Sequence, residues 1–137
     1  MAEKTFKLEI ITPRRVIFSG DVVSFSAPGV LGGFQVLYNH APLLAAIGIG
    51  EAKLKDVAGA EFLYATSGGF VDVLRNHVTF LAETAERSDE IDIPRARAAK
   101  ERANGRISGR NPDTDLDRAR VALQRALNRI RIAGRNS

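Results

Sequence analysis

The chain has 137 residues, of which 45% are apolar and 26% charged, so it is long enough for a compact domain with an appendage and its composition excludes global disorder. The absence of cysteine excludes disulfide frameworks, thiolate metal sites and cysteine nucleophiles. The longest apolar stretch, around residues 41–49, is far shorter than the roughly 20 residues of a membrane-spanning helix, and residues 1–8 lack the apolar segment of a signal peptide, so we expect a cytoplasmic protein.

Charge is unevenly distributed along the chain. Residues 1–93 hold 8 Lys or Arg and 12 Asp or Glu, a net charge of −4, whereas residues 94–137 hold 12 and 4, a net charge of +8. A basic segment of this kind favours an anionic partner: a nucleic acid, an anionic membrane, an acidic protein surface or a nucleotide. Charge alone leaves these four partners open.

Residues 1–87 have the pattern of an antiparallel β-sandwich. Apolar and charged residues alternate from Phe6 to Ile10, which is the period of a half-buried strand. A turn is predicted at residues 19–21 (Ser-Gly-Asp), between a strand at 16–18 and another at 23–27. Further short runs bounded by turn residues predict strands at 34–37, 52–55, 61–65, 70–74 and 78–82. Such short strands with closely spaced turns are typical of an antiparallel sandwich or barrel.

The periodicity changes to that of a helix near Ile91. Asp92 is a candidate N-cap, and Pro94 fits only the first turn of a helix. Alanines then recur at helical spacing as far as Ile107, and the Gly and Asn-Pro of residues 108–114 end this first helix.

A second helix is predicted to begin after Asp113 or Asp115. Its apolar seam consists of Leu116, Ala119, Leu123, Ala126, Leu127 and Ile130. At about 100° per residue, Arg118, Arg125 and Arg129 lie within about 40° of one another on roughly the opposite face. We therefore expect residues 88–137 to form an antiparallel two-helix hairpin with one apolar and one arginine face.

Short motifs give no case for catalysis by this chain alone. The pairs Gly32-Gly33 and Gly68-Gly69 fit turns, because no Lys-Ser/Thr follows either at phosphate-loop spacing. The two histidines stand alone, without further ligands at metal-binding spacing. The basic segment holds no Tyr or Trp for base stacking, yet a nucleic-acid-binding sandwich with a basic helical tail stays open as the alternative hypothesis.

Four stretches resemble the epsilon subunit of F-type ATP synthases. Residues 32–44 (Gly-Gly-Phe-Gln-Val-Leu-Tyr-Asn-His-Ala-Pro-Leu-Leu) resemble its Gly-x-Leu-Gly-Ile-Leu-x-Gly-His-x-Pro-Leu stretch, and residues 67–73 (Ser-Gly-Gly-Phe-Val-Asp-Val) its Ser-Gly-Gly-Phe-x-Glu-Val. In a third stretch, residues 82–87 and 91–96 resemble its domain junction and first tail helix, and in a fourth, residues 118–119 and 125–130 resemble its second helix. The chain departs from the family pattern at Gly33, often acidic, at Gln35, usually glycine, and at residues 38–39 (Tyr-Asn), often Pro-Gly.

The resemblance implies a ten-stranded sandwich followed by a helical hairpin, in a non-catalytic central-stalk subunit. It implies contacts with the gamma subunit and the ring of c subunits, through a loop region that contains Phe34, Gln35, Asn39, His40 and Pro42. Such a subunit couples rotation of gamma to proton or sodium flow. It would lie at the cytoplasmic face of the bacterial inner membrane, as a peripheral component that does not bind nucleic acid.

The resemblance also implies that the hairpin regulates the enzyme. In the family, the hairpin can extend along gamma toward the alpha and beta subunits and block ATP hydrolysis. Here Arg118, Arg125 and Arg129 would then meet carboxylates of the beta subunit in charge-assisted pairs.

A regulatory nucleotide site is implied as well, since some bacterial members bind ATP through an Ile/Leu-Asp-x-x-Arg-Ala motif and arginines of the second helix. The matching residues here are Glu86, Asp92, Arg95, Arg125 and Arg129. Arginines grip phosphate oxygens, and a carboxylate accepts hydrogen bonds from adenine or ribose. The structural alternative is that Asp92 caps the helix and Arg95 pairs with Glu86 or Glu90. ATP would be a regulatory ligand, and no metal, catalytic residue or other cofactor is predicted.

Overall fold

A computed structural model describes residues 4–109 and 111–135 of the chain. The chain divides into two compact units, Met1–Arg87 and Ser88–Ser137. The described residues leave out residues 1–3, 110 and 136–137. These residues fall within the two predicted domains, and residue 110 also falls within the predicted break between the helices.

The first unit is built of β-strands. Its described residues form nine: β1 (Phe6–Ile11), β2 (Val16–Ala27), β3 (Phe34–Val36), β4 (Leu43–Ile47), β5 (Gly50–Asp56), β6 (Glu61–Thr66), β7 (Gly69–Leu74), β8 (His77–Ala82) and β9 (Ala85–Arg87). They hydrogen-bond in the order β4-β7-β8-β1-β2-β5-β6-β9, with β3 also on β2. The strand pairs are antiparallel, as predicted, except that β1 runs parallel to β8. The predicted sandwich is thus confirmed as a mostly antiparallel fold.

Strand β2 is long enough to belong to both layers of the sandwich. Its first part pairs with β1, and its second part pairs with β5 and β3. The register against β5 shifts between Val22 and Ser24, where the strand passes from one layer to the other. Such an irregularity bends a strand and increases its twist.

The turn predicted at residues 19–21 is wrong. Ser19, Gly20 and Asp21 stay within β2 and pair with the backbone of β1. The two strands predicted on either side of that turn are therefore one. The resemblance implied about ten strands, and the described residues form nine. Residues 19–21 have the composition of a turn, but strand β1 runs alongside them and pairs with their backbone, so they stay extended.

The core of this unit lies between the two layers. Its largest fully buried side chains include Phe25, Phe80, Leu8, Ile10 and Leu54. The rings of Phe25 and Phe80 lie 6.0 Å apart between centroids and are inclined at 50°, a favourable geometry for an aromatic pair. Burying each of these side chains contributes roughly 1.5–3 kcal/mol, so this unit has the larger part of the chain's hydrophobic stabilisation.

The second unit begins with one 3₁₀ turn (Ser88–Glu90) and continues into two helices, α1 (Ile93–Ser108) and α2 (Leu116–Ala133). The two helices pack against each other. Because only residues 109–115 separate them, they run antiparallel, which confirms the predicted hairpin.

Both helices begin with an aspartate cap. The Oδ1 atom of Asp92 accepts a hydrogen bond from the backbone N–H of Arg95 at 3.0 Å, and Pro94 lies in the first turn, as predicted. The Oδ1 atom of Asp115 accepts from the backbone N–H of Arg118 at 3.0 Å. The N-cap of α2 is therefore Asp115 and not Asp113.

Alanine dominates the buried positions of the hairpin. Those positions are Ala96 and Ala103 on α1, and Ala119, Ala126, Asn128 and Ile132 on α2. Of the predicted apolar seam, Leu116 and Leu127 remain 42% and 44% exposed. Small side chains bury little area, so each contributes less to stability than the leucines and phenylalanines of the sandwich.

Candidate functional site

The loop between β3 and β4, residues 37–42, contains three of the five residues predicted to bind a partner. Its backbone closes a turn in which the N–H of His40 donates to the carbonyl oxygen of Leu37 at 3.1 Å. The Nδ1 atom of His40 lies 2.7 Å from the carbonyl oxygen of Ala41. Because a carbonyl oxygen can only accept, Nδ1 carries the proton in this hydrogen bond. Pro42 is exposed just before β4 begins.

Asn39, the third of these residues, has a left-handed backbone with a φ of 62°. Its backbone N–H donates to Oδ1 of Asn76 at 2.7 Å, and its own Oδ1 accepts from Nδ2 of Asn76 at 2.9 Å. The neighbouring Tyr38 is 40% exposed, and the Nζ atom of Lys4 lies 5.9 Å from its ring centroid. The loop therefore has a defined conformation and presents exposed side chains.

The other two predicted partner-binding residues lie on β3. Phe34 is half-buried and packs against the sandwich core, so part of its role is structural. Gln35 is exposed and lies opposite Ser26 of β2. Contact of either residue with a partner stays a prediction.

One layer of the sandwich carries a continuous row of apolar side chains on its outer face, called here the apolar row. The strand register places one residue from each of five strands side by side: Ala46, Phe70, Leu81, Ile11 and Val16. Phe70, Leu81 and Val16 are 57%, 54% and 55% exposed. With strands about 4.8 Å apart, the row is about 19 Å long. A contiguous exposed apolar surface of this kind marks an interaction site.

The apolar row is not among the interaction surfaces predicted from the sequence, although β7 and β8 contain a signal for it. Phe70 is followed by the buried Val71, and the buried Phe80 is followed by Leu81. Strands with apolar residues in both phases of the two-residue period are expected where both faces are covered. Their outer faces are nevertheless exposed in this chain, which points to a covering partner.

A second exposed apolar feature is the tip of the loop between β2 and β3. Leu31 is fully exposed and Val30 is 63% exposed. The backbone N–H of Gly32 donates to the carbonyl oxygen of Gly29 at 3.0 Å, which closes a turn around the two side chains. The N–H of Val30 donates to the carbonyl oxygen of Ala46 at 2.8 Å, so the tip joins the end of the apolar row.

In the hairpin, the capping role proposed for Asp92 is confirmed, because its Oδ1 atom bonds to the backbone of Arg95. Arg95 itself is exposed at the start of α1. The cap uses one carboxylate oxygen and leaves the second outside this hydrogen bond. Participation of Asp92 and Arg95 in nucleotide binding stays a prediction.

The arginines of α2 are divided between the two ends of the hairpin. Arg129 lies near the end of α2 and, in an antiparallel hairpin, at the same end as Arg95 near the start of α1. Arg125 is about one turn earlier. Arg118 lies at the other end, about 16 Å along the helix axis from Arg129. Glu86, predicted as a further nucleotide contact, lies on β9 in the first unit, opposite Ala65 of β6.

Within residues 4–109 and 111–135, no group of three or more His, Cys, Asp or Glu side chains is placed to hold a metal ion. In that part of the chain, none of the helices combines the length and the apolar character needed to cross a membrane.

Two family models match the chain one after the other. The model described as "ATP synthase, Delta/Epsilon chain, beta-sandwich domain" matches residues 5–88. The model described as "ATP synthase, Delta/Epsilon chain, long alpha-helix domain" matches residues 89–134. The boundary between them coincides within one residue with the boundary between the two compact units.

Curated relatives match over nearly their full length. The chain is 50% identical to the ATP synthase epsilon chain of Pelotomaculum thermopropionicum, over 98% of this chain and 100% of the relative. It is 46% identical to that of Syntrophomonas wolfei, over 96% of both chains, and 43% identical to that of Geobacter metallireducens, over 100% and 99%.

Solved structures share the fold. One chain in a cryo-EM structure of the Euglena gracilis mitochondrial ATP synthase (OSCP/F1/c-ring, rotational state 1) gives a TM-score of 0.77 at 20% identity, over 88% of this chain and 76% of that one. A chain in the central stalk/c-ring structure of the Tetrahymena thermophila mitochondrial ATP synthase gives 0.56 at 16% identity, over 98% of both chains. At such identities the likeness concerns the fold.

Proposed function

The chain belongs to the delta/epsilon-chain family of ATP synthases, and we propose that it links the gamma subunit to the ring of c subunits. Its curated relatives are epsilon chains, which are non-catalytic stalk subunits. The observation that carries the proposal is the tandem match of a sandwich model and a helical model over residues 5–88 and 89–134. As a rotor subunit it would couple rotation of gamma to proton or sodium flow. Its relatives named above are bacterial, so we place it peripherally at the cytoplasmic face of the bacterial inner membrane.

The sandwich provides two surfaces for this role. The apolar row offers a strip on which a partner can bury area, and the 37–42 loop adds a conformationally defined edge. The partner proposed for the row is the gamma subunit, because a stalk subunit that turns with gamma needs a persistent interface, and persistent interfaces are apolar at their centre. The exposed Val30 and Leu31 extend that surface toward the ring of c subunits.

The first test replaces two adjacent members of the apolar row. A Phe70→Ser and Leu81→Ser double variant should bind the cognate gamma subunit at least about tenfold more weakly, because buried aromatic and aliphatic anchors dominate such interfaces. Its melting temperature should be within a few degrees of that of the parent, because both side chains are more than half exposed. Titration of purified gamma, followed by calorimetry, measures the affinity.

Val57→Ser is the matched control, because Val57 is 52% exposed but lies in the turn between β5 and β6, away from the row. Unchanged gamma affinity in the double variant would show that the row is not the interface. Failure of the parent chain to bind gamma would contradict the rotor function itself.

The hairpin is the proposed inhibitor of ATP hydrolysis. Helix α2 carries five arginines and one aspartate, so its exposed surface is strongly basic. Arg118, Arg125 and Arg129 would form charge-assisted pairs with carboxylates of the beta subunit when the hairpin reaches the catalytic head. A single exposed pair contributes only about 0–1 kcal/mol, so the inhibition requires several arginines acting together.

The end of the hairpin that holds Asp92, Arg95, Arg125 and Arg129 is the proposed regulatory ATP site. A contact of Glu86 with the nucleotide stays a prediction from the resemblance. Two helices bring arginines to this end, where they can grip phosphate oxygens. The second carboxylate oxygen of Asp92 can accept from an adenine amino group or a ribose hydroxyl while Oδ1 keeps the cap.

Calorimetric titration of the full chain with ATP tests this site. Heat of binding should be measurable with millimolar ATP and should be lost in Arg125→Ala. Arg120→Ala is the matched control, because Arg120 lies on the same helix, about 200° around the axis from Arg118, and contacts Asp117 at 3.5 Å. Absence of heat from the parent chain would contradict nucleotide binding and leave the rotor function untouched.

A further inference from the structure

Two asparagines from distant turns form a reciprocal clasp at one end of the sandwich. Asn39 and Asn76 exchange two hydrogen bonds of 2.7 and 2.9 Å across 37 positions of sequence. Both residues have left-handed backbones, with φ of 62° and 59°. Glycine is the residue that usually occupies this conformation at no steric cost, so each asparagine accepts backbone strain that glycine would avoid. Asparagine provides the side-chain hydrogen bonds of the clasp at these two positions, and glycine would not.

The clasp connects the 37–42 loop to the rigid body of the sandwich. Asn76 lies in the tight turn between β7 and β8, and its carbonyl oxygen accepts from the backbone N–H of Lys7 in β1 at 3.0 Å. One partner is thus fixed by two neighbouring strands, and the other lies in the loop. The side chains of Leu37 and Tyr38, which precede the clasp in the loop, are 52% and 40% exposed.

We propose that Asn39 and Asn76 are positioning residues that hold the 37–42 loop in the conformation in which it docks on the gamma subunit. This inference rests on the proposed function, in which the loop forms an edge of the gamma interface. A loop that is fixed before docking loses less conformational entropy on association, so the clasp raises affinity without itself being the main contact.

The two amides have unequal roles, and this permits a sharp test. The side chain of Asn39 acts only as an acceptor in the clasp, through Oδ1. The side chain of Asn76 is both acceptor and donor, through Oδ1 and Nδ2. Asn39→Asp therefore keeps an acceptor oxygen where one is needed. Asn76→Asp replaces the donor nitrogen by a second oxygen, which faces the acceptor oxygen of Asn39 and repels it.

The experiment compares these two isosteric variants, which add the same negative charge at nearly the same place. The amide of His40, which donates to the carbonyl oxygen of Leu37 within the loop, reports on the loop conformation. Its hydrogen exchange in the full chain, followed by NMR, should be up to about tenfold faster in Asn76→Asp than in Asn39→Asp, because Asn76→Asp loses the hydrogen bond from Nδ2 and one hydrogen bond is worth up to about a factor of ten. Dissociation from the cognate gamma subunit should be faster in Asn76→Asp by a similar factor. Asn76→Gly keeps the left-handed backbone and removes both hydrogen bonds of the clasp, so its exchange and dissociation should be at least as fast as those of Asn76→Asp.

Three results would overturn the inference. Equal exchange rates in the two aspartate variants would show that the clasp does not hold the loop. Faster exchange in Asn76→Asp with equal dissociation rates would show that the loop conformation does not matter for docking. Failure of the parent chain to bind gamma would overturn the proposed function together with the docking role, and the parent measurement separates this result from the other two.

Discussion

At the scale of single residues, Gly69 shows how closely the backbone approaches itself in the sandwich. This residue begins β7 with a φ of +136°, a backbone conformation that residues with a side chain rarely adopt. A Cβ atom there would overlap the carbonyl oxygen of Leu81 and would lie 2.9 Å from the Cα of Ala82. The sequence predicts a turn glycine at this position, and the structure adds the close approach of β8.

Gly69→Ala should therefore destabilise the sandwich by about 3 kcal/mol or more, because strain and a backbone clash act together. The matched control is Gly59→Ala in the turn between β5 and β6, where φ is +87° and no atom lies within 4 Å of the added Cβ. That variant should lose only about 1–2 kcal/mol, the cost of the left-handed conformation. Urea denaturation of both variants measures the difference, and equal losses would contradict the role assigned to the close approach.

The turn at Arg75 and Asn76 was predictable from sequence, but the clasp was not. Asparagine is a residue type that tolerates a positive φ, and Asn76 has one, at 59°. Arg75 also has a positive φ, of 50°, which its residue type does not predict. The partner of Asn76 lies 37 positions away. No local pattern indicates which of many exposed polar residues will lie opposite another after folding.

At the scale of elements, most strands and both helices followed from periodicity. The alternation in β1 and the alanine spacing in α1 are local patterns, and the structure confirms both elements. Strand β4 was not predicted, because an apolar run such as residues 43–47 has no alternation to distinguish strand from helix. Strand β9 has only three residues, too few for a period, and unlike the equally short β3 it has no neighbouring Gly or Pro that marks its boundary. The parallel pairing of β1 with β8 depends on strand order, which periodicity does not encode.

The helix caps matter more than usual for the stability of the hairpin, because its buried positions are mainly alanine and each buried alanine contributes little to that stability. Asp115→Ala removes the acceptor for the backbone N–H of Arg118 and should destabilise α2 by about 1 kcal/mol. Amide exchange along α2 would detect this as faster opening of the helix.

Asp113→Ala is the control for the cap. Asp113 is an equally plausible cap from sequence alone, but it precedes the cap position and only its backbone N–H takes part in a described hydrogen bond, with Oδ1 of Asn111. It should change exchange in α2 by less than about twofold, since surface substitutions away from caps are usually within about 0.5 kcal/mol. An equal effect of the two variants would show that Asp115 does not act as the cap.

At the scale of the whole molecule, the two units differ in how strongly they are stabilised and in the surface they expose. The sandwich has a phenylalanine-rich core and exposed apolar surfaces for persistent contacts, whereas the hairpin has an alanine-rich interior and a basic surface. A weakly stabilised element can exchange one docking surface for another at low cost, which suits a switch. The family and its fold were recognisable from ordered motifs along the chain. The apolar row was not, because a single sequence does not show which exposed face a partner covers.

We propose above all that this subunit restrains ATP hydrolysis through its hairpin. The most direct measurement is the rate of ATP hydrolysis by an alpha–beta–gamma head reconstituted with the full chain, with a chain ending at Arg87, or with the Arg118→Ala, Arg125→Ala and Arg129→Ala triple variant. Arg120→Ala serves as a control for the loss of an arginine from another side of α2. We predict that the full chain and Arg120→Ala suppress hydrolysis, while the truncated chain and the triple variant bind gamma without suppressing it. Equal suppression by the full and truncated chains, or suppression by neither, would contradict the claim.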